Sequence, residues 1–138
     1  MTIFVDASAL IAIITGEPEA DALSDRLEAD PDRLCSALSV WETVAGLVRS
    51  YAFTVAAARA QVRLYLEAGA IRFVPLGEAE SDLAIAAYDR FGKGRHPAAL
   101  NMGDCHAYAC AQAHGATLLY KGEDFARTDL AHPIGTGP

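Results

Sequence analysis

Four carboxylates stand where an alternating strand–helix chain would gather reactive polar groups: Asp6, Glu42, Asp104 and Asp124. Asp6 closes the apolar run Ile3-Phe4-Val5, and Glu42 lies near the start of a helical pattern. Asp104 opens a late helical pattern, and Asp124 follows the run Thr117 to Tyr120 by four residues. Two carboxylates about 4 Å apart repel by roughly 4 kcal/mol at an effective dielectric near 20. A converging set therefore either keeps protons at raised pKa or binds a divalent cation. Oxygen donors alone favour hard ions, Mg²⁺ or Mn²⁺. Such an ion polarises a phosphodiester and lowers the pKa of an attacking water. Each acid also has a structural explanation, because carboxylates cap helix amino termini and complement the dipole there. That explanation is strongest for Glu42, which stands three residues after Ser39 in capping-box spacing, with Ser39 expected as the N-cap. It is weakest for Asp6, between an apolar strand and the strongly apolar stretch Ala9 to Ile14.

The elements that must position these acids follow from periodicity. Ile3 to Val5 reads as a buried strand and Ala9 to Ile14 as a buried helix, broken at Gly16-Glu17-Pro18. Glu19 to Ala29 is amphipathic, with Ala22, Leu23 and Leu27 expected inward. A turn at Asp30-Pro31-Asp32 leads to a second strand, Leu34 to Ala37. Helices are expected over Val40 to Ser50 and over Thr54 to Ala68, the latter ended by Gly69. Ile71 to Leu76 alternates as a strand, and Glu78 to Phe91 as a helix carrying Leu83, Ile85, Ala86 and Tyr88. A loop spans Gly92 to Leu100. Asn101-Met102-Gly103-Asp104 opens a helix to His114, with Gly115 in the C′ position. Thr117 to Tyr120 is the last strand, a polar loop runs to Asp129, and Pro133 to Pro138 is read as a tail. This alternation predicts an α/β sandwich with a parallel sheet, organised as one domain over residues 1–138. In such sheets ligands sit outside the carboxyl ends of the strands.

Composition narrows the classes further. The 138 residues are 52% hydrophobic and 21% charged, which excludes disordered, collagen-like and low-complexity chains. A net charge of −7 excludes a general basic surface for nucleic acid, so any such chemistry needs a local basic strip and bound cations. Residues 90 to 96 offer one, with Arg90, Lys93, Arg95 and His96 just before Asp104; the plain alternative is a solvated loop. Arg49, Arg59 and Arg63 extend it if they share a face. Trp41, beside Glu42, is expected to pack in a core or interface, with stacking on a base as the other reading. Tyr51, Phe53 and Tyr65 read as packing residues, on a helical pair able to form a groove for a partner. His106, Cys110 and His114 recur at four-residue spacing. The outer two lie about 12 Å apart along a helix, too far to share one ion, so a zinc site is not expected, and Cys105 and Cys110 read as small buried hydrophobes. Cys35, Cys105 and Cys110 form no disulfide framework and no Cys-x-x-Cys pair, which suits a reduced, cytoplasmic setting. The amino terminus lacks a signal-peptide pattern, and no apolar run reaches membrane-spanning length, so no membrane association is expected.

The motifs together carry a resemblance. Val5-Asp6-Ala7-Ser8-Ala9-Leu10 looks like the opening of PIN-domain ribonucleases, and Ser39-Val40-Trp41-Glu42 resembles their second acidic motif. Gly92-Lys93-Gly94-Arg95-His96-Pro97-Ala98, followed by Leu100-Asn101-Met102-Gly103-Asp104-Cys105, resembles the VapC toxin subgroup. Leu118 to Phe125, with Thr128-Asp129, resembles the last family motif. The resemblance implies a three-layer α/β/α sandwich and a metal-dependent endoribonuclease, the toxin of a toxin–antitoxin pair. It implies a cognate antitoxin, a homodimer and structured RNA substrates such as tRNA or rRNA. Asp6, Glu42 and Asp104 match the family's acids. Many members carry a further acid where this chain has Gly122, which leaves Asp124 as the substitute. Asp6 and Asp104 would hold Mg²⁺, or Mn²⁺; Glu42 and Asp124 would complete the charge and position or deprotonate a water. Ser8 and Thr128 would orient water or a carboxylate, and Lys93, Arg95 and His96 would contact RNA. Attack by water in line at phosphorus leaves a 5′-phosphate and a 3′-hydroxyl.

The same residues fit other classes less well. A signalling receiver domain could use Lys121, but Pro75-Leu76-Gly77 offers no phosphoacceptor aspartate. An Asp-x-Asp phosphatase fails because Ser8 stands in the second aspartate's place. A non-catalytic PIN-like binding module that has lost its metal remains as the alternative, with Gly122 as its support.

Overall fold

In a computed structural model that describes residues 1–129, the chain alternates strands and helices: β1 (Thr2–Val5), α1 (Ala7–Thr15), α2 (Ala20–Ala29), β2 (Asp32–Cys35), α3 (Ala37–Tyr51), α4 (Val55–Ala68), β3 (Ile71–Phe73), α5 (Glu78–Phe91), α6 (Met102–Ala113) and β4 (Thr117–Leu119). A single 3₁₀ turn follows at Phe125–Arg127. The four strands form one parallel sheet in the order β3-β2-β1-β4. The tail read at Pro133 to Pro138 lies outside the described residues.

Side-chain alternation along β1 divides the molecule into layers. Ile3 and Val5 face α1 to α4, in a core with Leu10, Leu23, Leu27, Leu47, Val62 and Leu66. Phe4 faces the other way, onto α5 and α6, with Leu34, Leu118, Phe91, Tyr108 and Phe125. All three β1 side chains are fully buried, each contributing about 1.5–3 kcal/mol of hydrophobic stabilisation. The result is the expected three-layer α/β/α sandwich. On one side α1 and α3 approach so closely that a methyl group at Gly46 would stand 2.6 Å from Ile11 Cδ1.

Several boundaries differ from the sequence reading, for physical reasons. The second strand begins at Asp32, within the expected turn, and stops at Cys35. The third stops at Phe73, and Pro75, which has no amide proton to donate, follows two residues later. The cap of α3 is Ser36 and not Ser39: Ser36 Oγ accepts from the Ser39 amide at 3.1 Å, and Ser39 Oγ accepts from the Ser36 amide at 3.0 Å. The capping box therefore lies between two serines, and Glu42 has no part in it. Ala22 is exposed, so Leu23 and Leu27 alone carry the inward face of α2. On α5, Ile85 and Tyr88 turn outward, while Ala84, Ala87 and Phe91 pack inward. Trp41 is not packed in the core; it is 67% exposed. Among the described residues no helix is long and apolar enough to cross a membrane.

Candidate functional site

In a parallel sheet, a helix that follows a strand starts at the sheet's carboxyl edge, and so does a helix that precedes one. The amino termini of α1, α3 and α6 and the segment after β4 therefore share one edge. Strand order reverses between β1 and β4, the switch point where α/β sheets open a crevice. Asp6 ends β1 there, and its amide donates to Leu119 O at 2.9 Å, tying the ends of the two strands together.

Asp6 is the N-cap of α1. Its Oδ2 accepts from the Ser8 amide at 3.0 Å and from the Ser8 hydroxyl at 2.6 Å. Ser8 Oγ in turn accepts from the Lys121 amide at 3.0 Å, which joins α1 to the segment after β4. Asp6 is only 5% exposed, and burial raises its pKa against the lowering effect of the Ser8 bonds. Asp104 sits in the first turn of α6 within a capping box: Asn101 Oδ1 accepts from the Asp104 amide at 2.9 Å, and Asp104 Oδ2 accepts from the Asn101 amide at 3.1 Å. On α6, unlike α3, an acid does close the capping box. Burial pushes the Asp104 carboxyl up to about 7, and the charges of Asp6, Asp124 and Glu42 push in the same direction. Glu42, half-buried, is raised by burial and by Asp6, with His106 opposing. Asp124 is exposed, and its charge acts on both Asp6 and Asp104. The four acids scattered along the chain are electrostatic neighbours, and among the described residues none of them pairs with a lysine or arginine.

A fifth residue enters that the sequence reading passed over as part of a motif. A methyl group at Gly103 would overlap the whole Glu42 carboxylate. Glu42 therefore lies against the first turn of α6, in the space a side chain would take. Only the meeting of α3 with α6 reveals this.

The last acid position is also explained. Gly122 has φ +106°, a conformation that L side chains rarely adopt. An aspartate at 122 would be strained in this backbone, and Asp124, two residues on, is the acid this segment presents. Thr128 is buried and donates to Phe125 O at 2.8 Å, closing the 3₁₀ turn.

The basic loop is more committed than its sequence suggests. Arg95 pairs with Asp89 at 2.9 Å and lies over the Tyr88 ring, 5.5 Å from its centroid. Arg90 meets Asp129 at 3.4 Å. The Ala98 amide donates to His96 Nδ1 at 3.0 Å, and the His96 ring meets Phe91 edge-on at 5.1 Å, so His96 builds the loop. Lys93 is exposed. Cys105 and Cys110 are buried thiols with pKa pushed up to about 11, as expected of small hydrophobes.

The donor set suits a hard divalent cation: oxygen only, clustered, and, for Asp6, Glu42 and Asp104, raised in pKa chiefly by burial. Among the described residues no three His, Cys, Asp or Glu side chains already close into a metal cage. An ion that keeps several of its waters and takes few protein ligands fits such an open group, which is the habit of Mg²⁺.

Comparisons with known proteins show the family and the fold. The PIN domain family model matches residues 3–130. Ribonuclease VapC30 of Mycobacterium tuberculosis is 42% identical over 127 residues, covering 92% of this chain and 95% of its own. Ribonuclease VapC of Mycolicibacterium smegmatis is 42% identical, covering 92% and 96%. Among solved structures, the fold resembles VapC20 of Mycobacterium tuberculosis, a sarcin–ricin loop cleaving toxin, with TM-score 0.67 at 21% identity over 90% of this chain and 92% of that one. It also resembles a toxin–antitoxin complex from Klebsiella pneumoniae, with TM-score 0.67 at 20% identity over 93% of each chain. A parallel sheet in the order 3-2-1-4, acids gathered at its switch point and relatives matched over nearly their whole length lead to one assignment: the chain belongs to the PIN domain family, among its VapC-type ribonuclease toxins.

Proposed function

We propose that the protein is a divalent-metal-dependent endoribonuclease, the toxin of a toxin–antitoxin pair acting in the cytoplasm. The observation that carries the reading is the group of four interacting carboxylates at the β1/β4 switch point with no lysine or arginine paired to it among the described residues. Asp6, Glu42, Asp104 and Asp124 would hold Mg²⁺ or Mn²⁺. When bound, the ion supplies positive charge to a phosphodiester oxygen and acidifies a neighbouring water.

The chain's own residues have separable parts in this reading. Ser8 holds Asp6 in one orientation through two hydrogen bonds and ties it to the Lys121 backbone. Asn101 holds Asp104 through one hydrogen bond, from its backbone amide. Glu42 and Asp124 would complete the charge and position or deprotonate the attacking water. Lys93 is the loop cation with no ion pair among the described residues, so it is the natural contact for an RNA phosphate. Arg95 contributes only by exchanging Asp89 for phosphate, and His96 acts by shaping the loop.

Structured RNA, a cognate antitoxin and a second copy of the chain are the partners proposed, supported by relatives named as VapC ribonucleases, by a sarcin–ricin loop cleaving neighbour and by a neighbour solved as a toxin–antitoxin complex. The test is incubation of antitoxin-free protein with total small RNA and with rRNA, in Mg²⁺, Mn²⁺ or chelator. Discrete metal-dependent products with 5′-phosphate ends are expected. No cleavage together with no Mn²⁺ binding would leave the non-catalytic binding module instead.

A further inference from the structure

Glycine at position 103 has no backbone explanation. Its φ lies outside the left-handed region, and it occupies the second residue of α6, a helical position where alanine is the better residue. What it supplies is space. All three outer atoms of the Glu42 carboxylate lie where a Cβ at 103 would be. Gly103 itself is buried, and the neighbouring Asp104 feels the charge of Glu42.

We infer that Gly103 is a positioning residue for the carboxylate centre, the seat that lets Glu42 of α3 reach the amino-terminal turn of α6 beside Asp104. Glu42 leaves a helix that makes its capping bonds elsewhere, through Ser36 and Ser39. Its side chain is thus free of local duty, and its placement is decided by the surface it meets. That surface is the positive end of the α6 dipole, opened by the missing side chain. A larger residue at 103 would push against the tip of a flexible side chain and not against backbone. The helix would therefore tolerate alanine, while the Glu42 carboxylate would be displaced from Asp104.

This inference rests on the metal-centre reading above, and the test separates the two. Gly103→Ala, Glu42→Ala and the double variant are compared with the native chain in two measurements: Mn²⁺ affinity by calorimetry, and Tm in chelator. Gly103→Ala is expected to remain folded and to lose Mn²⁺ affinity about tenfold or more, the scale of disturbing a ligand's support. In the Glu42→Ala background the same change should cost no further affinity, because nothing is left to displace. In chelator, Gly103→Ala should raise Tm more in the Glu42→Ala background than in the native one, since only there is the helix gain free of collision. Native Mn²⁺ affinity in Gly103→Ala, or an equal loss with and without the Glu42 side chain, would overturn the inference. If the native chain binds no Mn²⁺, the metal reading fails and the Tm comparison alone decides: non-additive shifts uphold the seat, additive shifts remove it.

Discussion

Two groups of acids in this molecule have opposite electrostatic fates. At the end of α1, Glu17 receives hydrogen bonds from Lys121 Nζ and from the Tyr51 hydroxyl. Those bonds, the lysine's first, hold its carboxyl below the usual range. Lys121 also reaches Glu19 at 3.6 Å. The Asp6, Glu42 and Asp104 group is more deeply buried, has no lysine or arginine paired to it among the described residues, and is raised throughout. The Lys121 backbone touches both groups, since its amide bonds Ser8, which bonds Asp6. The protein gives one cluster its own cation and gives the other none among the described residues. An acid that carries its partner serves the fold. A buried acid without one costs stability, and the cost is recovered when an ion or substrate arrives.

The largest effect expected from this contrast is on activity. Asp6→Asn preserves an acceptor for Ser8 but removes charge from the centre of the group. Metal-dependent RNA cleavage should fall by about a thousandfold or more, on the scale of a lost metal-held catalytic step, with the circular dichroism spectrum unchanged. Retained cleavage in Asp6→Asn would remove the carboxylate group from the chemistry.

The next effect is on stability, and its sign separates the clusters. Because the Asp104 pKa is raised to about 7 in the folded chain, the native state binds more protons than the unfolded state between about pH 4 and pH 7. Stability is therefore lost as pH rises through that window. Asp104→Asn keeps the acceptor of the capping box and removes the ionisation. In chelator its Tm should exceed the native value at pH 8 by on the order of 5 °C, and the gap should close toward pH 4. Metal binding, for its part, must displace protons, so native Mn²⁺ affinity should rise from pH 6 to pH 8 with proton release seen by calorimetry.

Glu17 should behave in the reverse sense. Its lowered pKa contributes stability that is present above its unfolded value and lost as pH falls. Glu17→Gln should lower Tm at pH 7 by a few degrees, for a partly exposed pair worth about 0.5–1 kcal/mol, and the deficit should shrink as pH falls below the usual glutamate range, toward the lowered folded-state value. If Glu17→Gln and Asp104→Asn shift Tm in the same direction at pH 8, the contrast between the clusters fails.

The smallest effect concerns the loop. Lys93→Ala should weaken RNA binding modestly and reduce the slope of log affinity against log salt by about one. Arg95→Ala should change that slope less, because its guanidinium is already engaged with Asp89. Equal slopes for the two variants would mean that the Asp89 pair opens freely on binding.

Much of this was legible in the sequence. The run Ile3 to Val5, the helix Glu78 to Phe91 and the end of α4 at Gly69 follow from periodicity and capping chemistry acting within a few residues. Asp6 stood out as an acid between two apolar segments, although the structure also gives it the structural role rated weakest for it, as N-cap of α1. Trp41 and Glu42 were less legible, since spacing alone made Glu42 a capping partner of Ser39 and the size of Trp41 suggested a core or an interface. The structure moved the cap to Ser36 and turned Trp41 outward. Two serines at the right separation compete for the same role, and which one wins depends on where β2 stops.

What the sequence by itself determined is the order and type of the elements, the alternation that buries Phe4 on one face and Ile3 and Val5 on the other, and the presence of acids at strand ends and helix starts. These depend on local sterics and on a period of 2 or 3.6 residues. What only the tertiary structure decided is which acids share a field and which are neutralised: Glu42 against Gly103 and near Asp104, Glu17 against Lys121 and Tyr51, Gly122 turned to a backbone that would strain an aspartate. Electrostatic coupling depends on distance through space and on exclusion of water, and neither is encoded in sequence separation.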